Sequence, residues 1–351
     1  MALILHTAET EEYSILRATT ADYAVRSLEP LAEQLDNAWE PPVRESMSRA
    51  SELGVLSALA PEEAGGGGLD DYAFCVALEE MAVESAGAAA ALLIHNAAML
   101  PAILAGGGPE LKRLLEAAFP LSLAFSQSLS ISGGNVSGHV PWAFNAPAAS
   151  MFTLLVQEGE GVAAAIVEAG ADGLTVQPHP YQLGLRAARS ASLDLDGVTP
   201  AAVFRGDGGM RSVCERILHL GFAAVATGIA RKSFQAAHAY ASERYQGGAI
   251  IINHQQMRLF LADIFSGIEM ARAMLRAACL NGDLAQAVSC RIEATDRALR
   301  SANDGLQIHG GYGYTEDSGM ERLVRDATYC QIYPGTNEES RLELLDLAER
   351  G

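Results

Sequence analysis

The residue types best suited to bind an anionic group are concentrated near the C-terminus, in the segment 307–342. It reads Q-I-H-G-G-Y-G-Y-T-E-D-S-G-M-E-R-L-V-R-D-A-T-Y-C-Q-I-Y-P-G-T-N-E-E-S-R-L. Glycines at 310, 311 and 313 let a backbone approach another group closely, because glycine has no Cβ. The segment therefore contains both backbone that another group can approach closely and charged side chains.

Two arginines of this segment carry the guanidinium fork that pairs with carboxylates and phosphates, Arg322 and Arg325. The alternative for either is a structural ion pair with Glu321 or Asp326. Residue types alone leave both interpretations open.

Other chemical motifs are missing from the sequence. It contains no HExxH, no CxxC pair, no GxSxG and no GxGxxG after a strand, which argues against a metal site, a nucleophile triad and a Rossmann nucleotide site. The four glycines at 65–68 lack the lysine and the strand–helix setting of a phosphate loop. They predict a plain turn.

Composition indicates a globular protein with two or three domains. The chain has 351 residues, of which 49% are hydrophobic and 19% charged. Its net charge of −19 argues against nucleic acid as a partner, because a basic surplus is needed to neutralise phosphates.

Cysteine usage and apolar segments predict a cytoplasmic location. The five cysteines are scattered and odd in number, as expected for reduced thiols. The N-terminus lacks the basic region and long apolar core of a signal peptide. The most apolar window, 88–104, contains His95, Asn96 and Pro101, so it predicts a buried helix and no membrane span.

Hydrophobic patterning divides the chain into helical, β and helical zones. M-F-T-L-L-V-Q and V-A-A-A-I-V-E flank a glycine-containing turn and predict a hairpin. Leu193 and Leu195 share one face of a later strand. In the last zone, one stripe of a long helix is predicted by the spacing of Ile264, Ile268, Ala271 and Leu275.

Motifs along nearly the whole chain resemble those of the acyl-CoA dehydrogenase family, in family order. They are P-E-E-A-G-G-G-G-L-D, L-L-I-H-N, P-W-A-F-N-A, L-G-L-R-A-A-R-S, S-E-R-Y-Q-G-G with N-H-Q-Q, and the C-terminal segment. The resemblance implies an α+β, mainly α fold. It divides into an N-terminal helical domain (1–120), a shortened middle β-domain (121–209) and a C-terminal four-helix-bundle domain (210–351).

FAD is the cofactor that the resemblance implies, with its adenosine-diphosphate end held by a second subunit. Carried over to this chain, Gln307, Gly310 and Gly311 would line the adenine end of the neighbour's cofactor. Arg244 would face the pyrophosphate, as suits a guanidinium fork.

The flavin ring would meet residues from two other regions. Trp142 would pack beside it, with ordinary core packing as the alternative. Ser126 stands where the family has a threonine that hydrogen-bonds the ring, and Thr336 would also touch the cofactor.

Pro334 occupies the position of the catalytic glutamate in I-Y-P-G-T-N. The family reaction removes a proton from the α-carbon of an acyl-CoA, which needs a base. It also uses a backbone N–H at that residue to stabilise the developing enolate. Proline supplies neither a carboxylate nor an N–H.

Some relatives place the base on a helix expected here at about residues 211–243, and alignment puts Leu218 at that position. Glu215, one turn away, and His219, which titrates near neutrality, are the weak substitute candidates. A solvated Glu215 and a packed His219 are the alternatives.

Three further departures affect the implied cofactor contacts. Phe144 replaces a threonine that bonds the flavin, Gly247 replaces an aromatic residue near the pyrophosphate, and S-Q-S-L-S-I-S-G-G replaces the family's T-E-P-G-A-G-S-D loop.

Three functions follow. The chain is a base-less subunit of a heteromeric dehydrogenase, a homo-oligomeric flavoenzyme with other chemistry on a thioester, or a non-catalytic relative. The partners expected are an acyl-CoA or related thioester, a homologous base-bearing subunit in a dimer or tetramer, and an electron-accepting flavoprotein.

Overall fold

The computed structural model describes residues 10–37, 42–159, 161–206 and 209–350. Within those ranges the chain begins with six helices: α1 (Glu11–Tyr23), α2 (Ala32–Asn37), α3 (Pro42–Ala50), α4 (Asp71–Glu84), α5 (Ala86–Leu104) and α6 (Gly108–Glu116). Asp70 and Ser85 cap α4 and α5, because their side chains accept from the backbone N–H groups of Ala73 and Ala88. The glycines at 65–68 lie in the loop before α4, as predicted.

A seven-stranded sheet follows the helices, in the order β5-β6-β2-β1-β3-β4-β7. Its strands are β1 (Ser122–Ser132), β2 (Asn135–Phe144), β3 (Met151–Glu158), β4 (Gly161–Glu168), β5 (Leu174–Pro178), β6 (Ser190–Val198) and β7 (Ala202–Arg205). β1 pairs parallel with β3, and the other pairs are antiparallel. The predicted hairpin is confirmed, with Val156 opposite Ala163.

Helices return after the sheet as α7 (Gly209–Glu243), α8 (Gln255–Asn281), α9 (Leu284–His309), α10 (Met320–Cys330) and α11 (Asn337–Arg350). The predicted stripe of α8 is buried at all four positions. Gly228 of α7 packs tightly on α4, since a Cβ there would lie 2.6 Å from the Glu79 carbonyl oxygen. The boundaries of the three domains stay a prediction.

A short hairpin, β8 (Tyr245–Gln246) and β9 (Ala249–Ile250), links α7 to α8. Its turn residues Gly247 and Gly248 have φ of 64° and 86°. A two-residue turn with both φ values positive favours glycine. This turn explains why Gly247 stands where the family resemblance implies an aromatic residue.

The sheet separates two apolar cores. Phe144, Leu155 and Ile166 join the large core of the helices, whereas Leu193 and Leu195 belong to a smaller core on the opposite face. The functional site lies where the helical core meets strands β1 and β2.

Two helices, Ala86–Leu104 and Gly209–Glu243, are long and apolar enough to cross a membrane. Of their most apolar windows, 89% and 83% respectively are buried inside the protein. Core helices of globular proteins share this composition, as the sequence predicted for the first of them.

Candidate functional site

An aromatic cavity of about 370 Å³ opens between strands β1 and β2 and the loop that follows α10. Its walls are aromatic, aliphatic and proline side chains: Phe125, Pro141, Trp142, Tyr329, Ile332, Tyr333 and Pro334. Trp142 is 38% exposed, and its ring centroid lies 3.9 Å from that of His179. The cavity therefore suits a flat apolar group.

The inner wall of the cavity is a packed aromatic cluster. Phe144 is fully buried, and its ring meets Tyr333 at a centroid distance of 4.5 Å and Tyr329 at 5.6 Å. Phe222 of α7 closes the cluster, 5.6 Å from Tyr333. These spacings are direct ring contacts, so no second ring fits between Phe144 and Tyr333. Phe144 also offers no polar atom where the resemblance implies a hydrogen bond to flavin.

A buried arginine fixes the loop that carries Pro334. The Nη1 atom of Arg291 donates to the carbonyl oxygens of Tyr333 at 3.1 Å and Gly335 at 3.0 Å. Its Nη2 atom donates to the Ser340 hydroxyl. Burial lowers the pKa of Arg291 to about 10, so the side chain remains a cation at neutral pH. The loop geometry depends on this one guanidinium.

The cavity walls contain no group able to take up a proton at neutral pH. Among its lining residues only Tyr329 and Tyr333 titrate, and burial raises the pKa of both hydroxyls. Pro334 lies at the rim, without a carboxylate or N–H. The described cavity can bind an apolar group and exclude water, but none of its lining side chains can abstract a proton.

The two substitute candidates for a base lie outside this cavity. Glu215 forms an ion pair with Arg211 at 2.7 Å. His219 is 4% exposed, and its Nδ1 has no hydrogen-bond partner. Burial and, secondarily, the nearby Arg291 lower the pKa of His219 to about 3, which makes it a weak base.

Ser126 lines a second cavity of about 290 Å³, which shares Phe125 with the aromatic cavity. Its hydroxyl accepts from the Ser128 N–H at 3.3 Å. Arg211 lines the same cavity and lies over the Phe125 ring, 5.9 Å from its centroid. The role of Ser126 and Trp142 at one flavin ring stays a prediction.

Thr336 begins helix α11 as a cap. Its Oγ1 accepts from the Glu339 N–H at 3.1 Å, and its own N–H donates to Glu339 Oε2 at 2.8 Å. This reciprocal pair is a capping box. The threonine thus has a structural role beside the aromatic cavity.

The remaining predicted cofactor residues meet at the far end of the helices. Tyr240 of α7 stacks on His309 of α9 at 4.5 Å, so the C-terminal ends of both helices are adjacent. Arg244 and Gln307 are both exposed there, and the Arg244 side chain forms no ion pair with any residue that the structure describes. A Cβ at Gly310 or Gly311 would have no atom within 4 Å. This end presents a free cation beside open backbone.

Arg325 follows the structural alternative left open by the sequence. It pairs with Glu321 at 2.6 Å and with Asp36 at 2.7 Å. Its guanidinium is therefore occupied by carboxylates of its own chain.

Sequence reasoning did not single out Phe125, Tyr329, Tyr333, His179 or Arg291. Tyr329 and Tyr333 precede Pro334 in Y-C-Q-I-Y-P, and these closely spaced aromatic residues were the available signal. Arg291 lies over forty residues earlier, on α9, and only the fold brings it under the loop.

Both helical parts of the chain match known domains. Residues 10–116 match the acyl-CoA dehydrogenase N-terminal domain, and residues 207–346 match the acyl-CoA dehydrogenase C-terminal domain. A probable acyl-CoA dehydrogenase of Bacillus subtilis (strain 168) is 30% identical, across 95% of this chain and 97% of the relative.

Solved structures share the whole fold. A chain from work on the electron-transferring flavoprotein of Acidaminococcus fermentans and flavin-based electron bifurcation has a TM-score of 0.90 and 25% identity, covering 99% of this chain and 100% of that one. Butyryl-CoA dehydrogenase from Megasphaera elsdenii has a TM-score of 0.87 and 24% identity, covering 98% and 100%.

Proposed function

This chain belongs to the acyl-CoA dehydrogenase family, and we propose that it is the base-less subunit of a heteromeric, FAD-dependent dehydrogenase of an acyl thioester. A homologous subunit supplies the proton-abstracting carboxylate. This chain binds part of the cofactor and completes the neighbour's site.

The observation that carries the proposal is the chemistry of the aromatic cavity. None of the residues that line it is an acid or a histidine, and Pro334 stands at its rim. A positioned general base typically contributes about 10²–10⁴-fold to the rate, and an oxyanion donor about 10²–10³-fold. A chain that lacks both is a poor dehydrogenase by itself.

The residues present fit FAD in two separate places. The cavity volume of about 370 Å³ is in the range of ligand pockets, and Trp142 and Tyr333 would flank a flavin ring there. At the outer end of the helices, Arg244 suits a pyrophosphate, and the open backbone at Gly310 and Gly311 leaves room for an adenosine.

These two places are too far apart to hold the two ends of one FAD within one chain. Phe222, beside the cavity, and Arg244 are separated by 22 residues of α7 and its end, which is about 33 Å at about 1.5 Å per residue. The arrangement supports a cofactor shared between subunits. The adenosine-diphosphate end held by this chain would belong to a neighbour's FAD.

Bound FAD supplies the hydride acceptor for the β-carbon of the thioester. This chain's own side chains orient and shield: Trp142 and Tyr333 exclude water from the aromatic cavity. Arg291 keeps the Tyr333–Gly335 loop in place. Arg244 neutralises phosphate charge at the subunit boundary.

The substrate and electron acceptor are inferred from relatives. Those compared are dehydrogenases of acyl-CoA and butyryl-CoA, which supports a thioester substrate. The similar chain from the electron-transferring flavoprotein work supports a flavoprotein as the electron acceptor.

A homo-oligomeric enzyme with a relocated base is less well supported. Glu215 forms an ion pair with Arg211, and His219 is a buried weak base. Neither lines the aromatic cavity. A non-catalytic relative would bind no flavin under any pairing, which the following experiment measures.

The test is to purify the chain alone and together with a co-expressed, glutamate-bearing homologue, and to count FAD per protomer from the flavin absorbance. We expect well below one FAD per protomer and no thioester oxidation from the chain alone, with flavin and turnover in the mixed complex. One FAD per protomer with turnover by the chain alone would overturn the heteromer.

The Arg244→Ala variant tests the shared site within that complex. It should lower FAD occupancy without lowering the melting temperature of the isolated chain, because Arg244 is exposed and forms no ion pair with the residues that the structure describes. Arg26→Ala is the control, since Arg26 is a 75% exposed arginine of the N-terminal helices, where it pairs with Asp22. Equal flavin content in both variants would exclude Arg244 from the site.

A further inference from the structure

Two cysteines from distant parts of the sequence meet between α4 and α8. The Sγ atoms of Cys75 and Cys279 lie 3.9 Å apart. A disulfide has an S–S length of about 2.0 Å, so the sulfurs need to approach by about 1.9 Å. All five cysteines are free thiols in this structure.

A neighbouring ion pair holds the two helices in this register. Arg272 of α8 donates to Glu79 of α4 at 2.6 Å. Glu79 follows Cys75 by one helical turn, and Cys279 follows Arg272 by two turns. The antiparallel helices are therefore fixed beside the thiols by a partly buried ion pair that is independent of sulfur chemistry.

The two thiols differ in access. Cys75 is 2% exposed, and its hydrogen bond with Cys279 and its burial raise its pKa. Cys279 is half-buried, so a small oxidant reaches it first. An accessible thiol beside a buried one has the arrangement of a reacting and a resolving cysteine.

We propose that Cys75 and Cys279 form a reversible disulfide when the protein meets a hydroperoxide. The Cys279 thiol, after loss of its proton, attacks one peroxide oxygen, which gives a sulfenic acid and one water. The Cys75 sulfur then displaces the second oxygen as water, so two thiols and one hydrogen peroxide yield one disulfide and two waters. The two cysteines are oxidised and the peroxide is reduced.

The disulfide joins the N-terminal helices to the C-terminal ones. The bond closes a loop of about 200 residues, and cross-links that close long loops stabilise the folded state by restricting the unfolded chain. Oxidation therefore rigidifies the contact between α4 and α8 without touching the aromatic cavity. A dithiol reductant restores both thiols.

The test uses the intact wild-type chain under native conditions. Hydrogen peroxide is added, free thiols are blocked by alkylation, and the digested peptides are analysed by mass spectrometry. We expect a cross-linked peptide that contains Cys75 and Cys279, with a mass about 2 Da below the sum of the two reduced peptides. The melting temperature of the oxidised protein should be higher, and dithiothreitol should reverse the increase. Five alkylated or over-oxidised thiols without that peptide would overturn the proposal.

Matched variants identify the pair. Cys290 is the competitor to exclude, because its thiol interacts electrostatically with those of Cys75 and Cys279. Cys290→Ala should keep the cross-link and the melting shift, whereas Cys279→Ala should lose both. A cross-link between Cys279 and Cys290, or one formed only after denaturation, would contradict the assignment.

Discussion

Arg291 donates a hydrogen bond to the carbonyl oxygen of Tyr333 over 3.1 Å, and the same Nη1 atom reaches Gly335 at 3.0 Å. One buried guanidinium thus holds the backbone on both sides of Pro334. The wall of the aromatic cavity and the position of Pro334 are set by a residue of a different helix, α9.

Arg291→Met should destabilise the folded chain by about 2–4 kcal/mol. The substitution removes the donor to the Tyr333 and Gly335 carbonyl oxygens and to the Ser340 hydroxyl. Each buried group left unsatisfied costs about 1–3 kcal/mol. Relief of the buried charge offsets part of this loss. Denaturant unfolding monitored by circular dichroism measures the difference.

Arg300→Met is the control for that measurement. Arg300 lies on the same helix, is 64% exposed, and has only long contacts with Asp263 and Asp304. Its loss should change the free energy of unfolding by less than about 1 kcal/mol. Equal effects of the two substitutions would show that the Arg291 bonds to the loop contribute nothing specific.

Local patterns in the sequence sufficed for the elements but not for the site. The apolar spacing of Ile264, Ile268, Ala271 and Leu275 determines the buried face of α8, and the alternation at Leu193 and Leu195 determines a strand face. Such periodicities depend on neighbours along the chain. The hairpin and the buried helix at 88–104 were predictable for the same reason.

Contacts between distant segments could not be read from those patterns. The packing of Phe144 on Phe222 and Tyr333 joins β2, α7 and the loop after α10, and no periodicity encodes it.

Glu79→Gln should be among the most destabilising single changes, at about 3–5 kcal/mol. Burial alone would raise the pKa of Glu79, but Arg272, Arg231 and Arg17 outweigh burial and lower it to about 2. Removing the carboxylate takes the partner that is 2% exposed away from these cations, although Arg231 keeps its contact with Glu80 and Arg272 its contact with Glu269. Breaking a buried pair has this magnitude.

Thermal unfolding of Glu79→Gln beside Glu269→Gln checks the claim. Glu269 contacts Arg272 at 3.4 Å from the same helix, with both side chains partly exposed, so its loss should cost less than about 1 kcal/mol. If both variants melt alike, the buried carboxylate is not the centre of the network.

The stability of the fold should fall as the pH drops below about 6.5. Burial lowers the pKa of His95 and His219 to about 3, whereas histidine in an unfolded chain titrates near about 6.5. Between these values the unfolded chain binds a proton at each site that the native state does not. The free energy of unfolding then decreases by up to about 1.4 kcal/mol per pH unit for each histidine.

Asp326 acts in the opposite direction. Burial raises its pKa to about 6, so below pH 6 the native state keeps a proton that the unfolded chain releases until about 3.9. Urea unfolding at several pH values measures this. As the pH falls, the free energy of unfolding should decrease less steeply for His219→Leu and more steeply for Asp326→Asn than for the wild type. Identical slopes in all three proteins would show that neither group titrates as its burial implies.

Under the proposed function, Pro334→Glu tests whether the lack of a carboxylate at this position is enough to explain an inactive isolated chain. The substitution restores both a carboxylate and a backbone N–H at the rim of the aromatic cavity. We nevertheless expect no butyryl-CoA oxidation by the isolated variant, measured as reduction of an artificial electron acceptor with FAD added. Pro334→Gln is the matched control, because it restores the N–H without the carboxylate.

The reason lies deeper in the cavity than Pro334. Phe144 is fully buried against Tyr333 and Tyr329. It stands where the family resemblance implies a threonine that hydrogen-bonds the flavin, so the added carboxylate would not restore that polar contact. A preorganised polar contact is typically worth about 10²–10³-fold in rate, and restoring the base alone does not replace it. Turnover by Pro334→Glu above that of Pro334→Gln would mean that the aromatic cluster leaves the reaction intact and that base loss alone silences the chain. The proposed base-less subunit requires a different result. The variant should be active only when it is combined with a glutamate-bearing homologue, and its activity should then equal that of the wild type in the same complex.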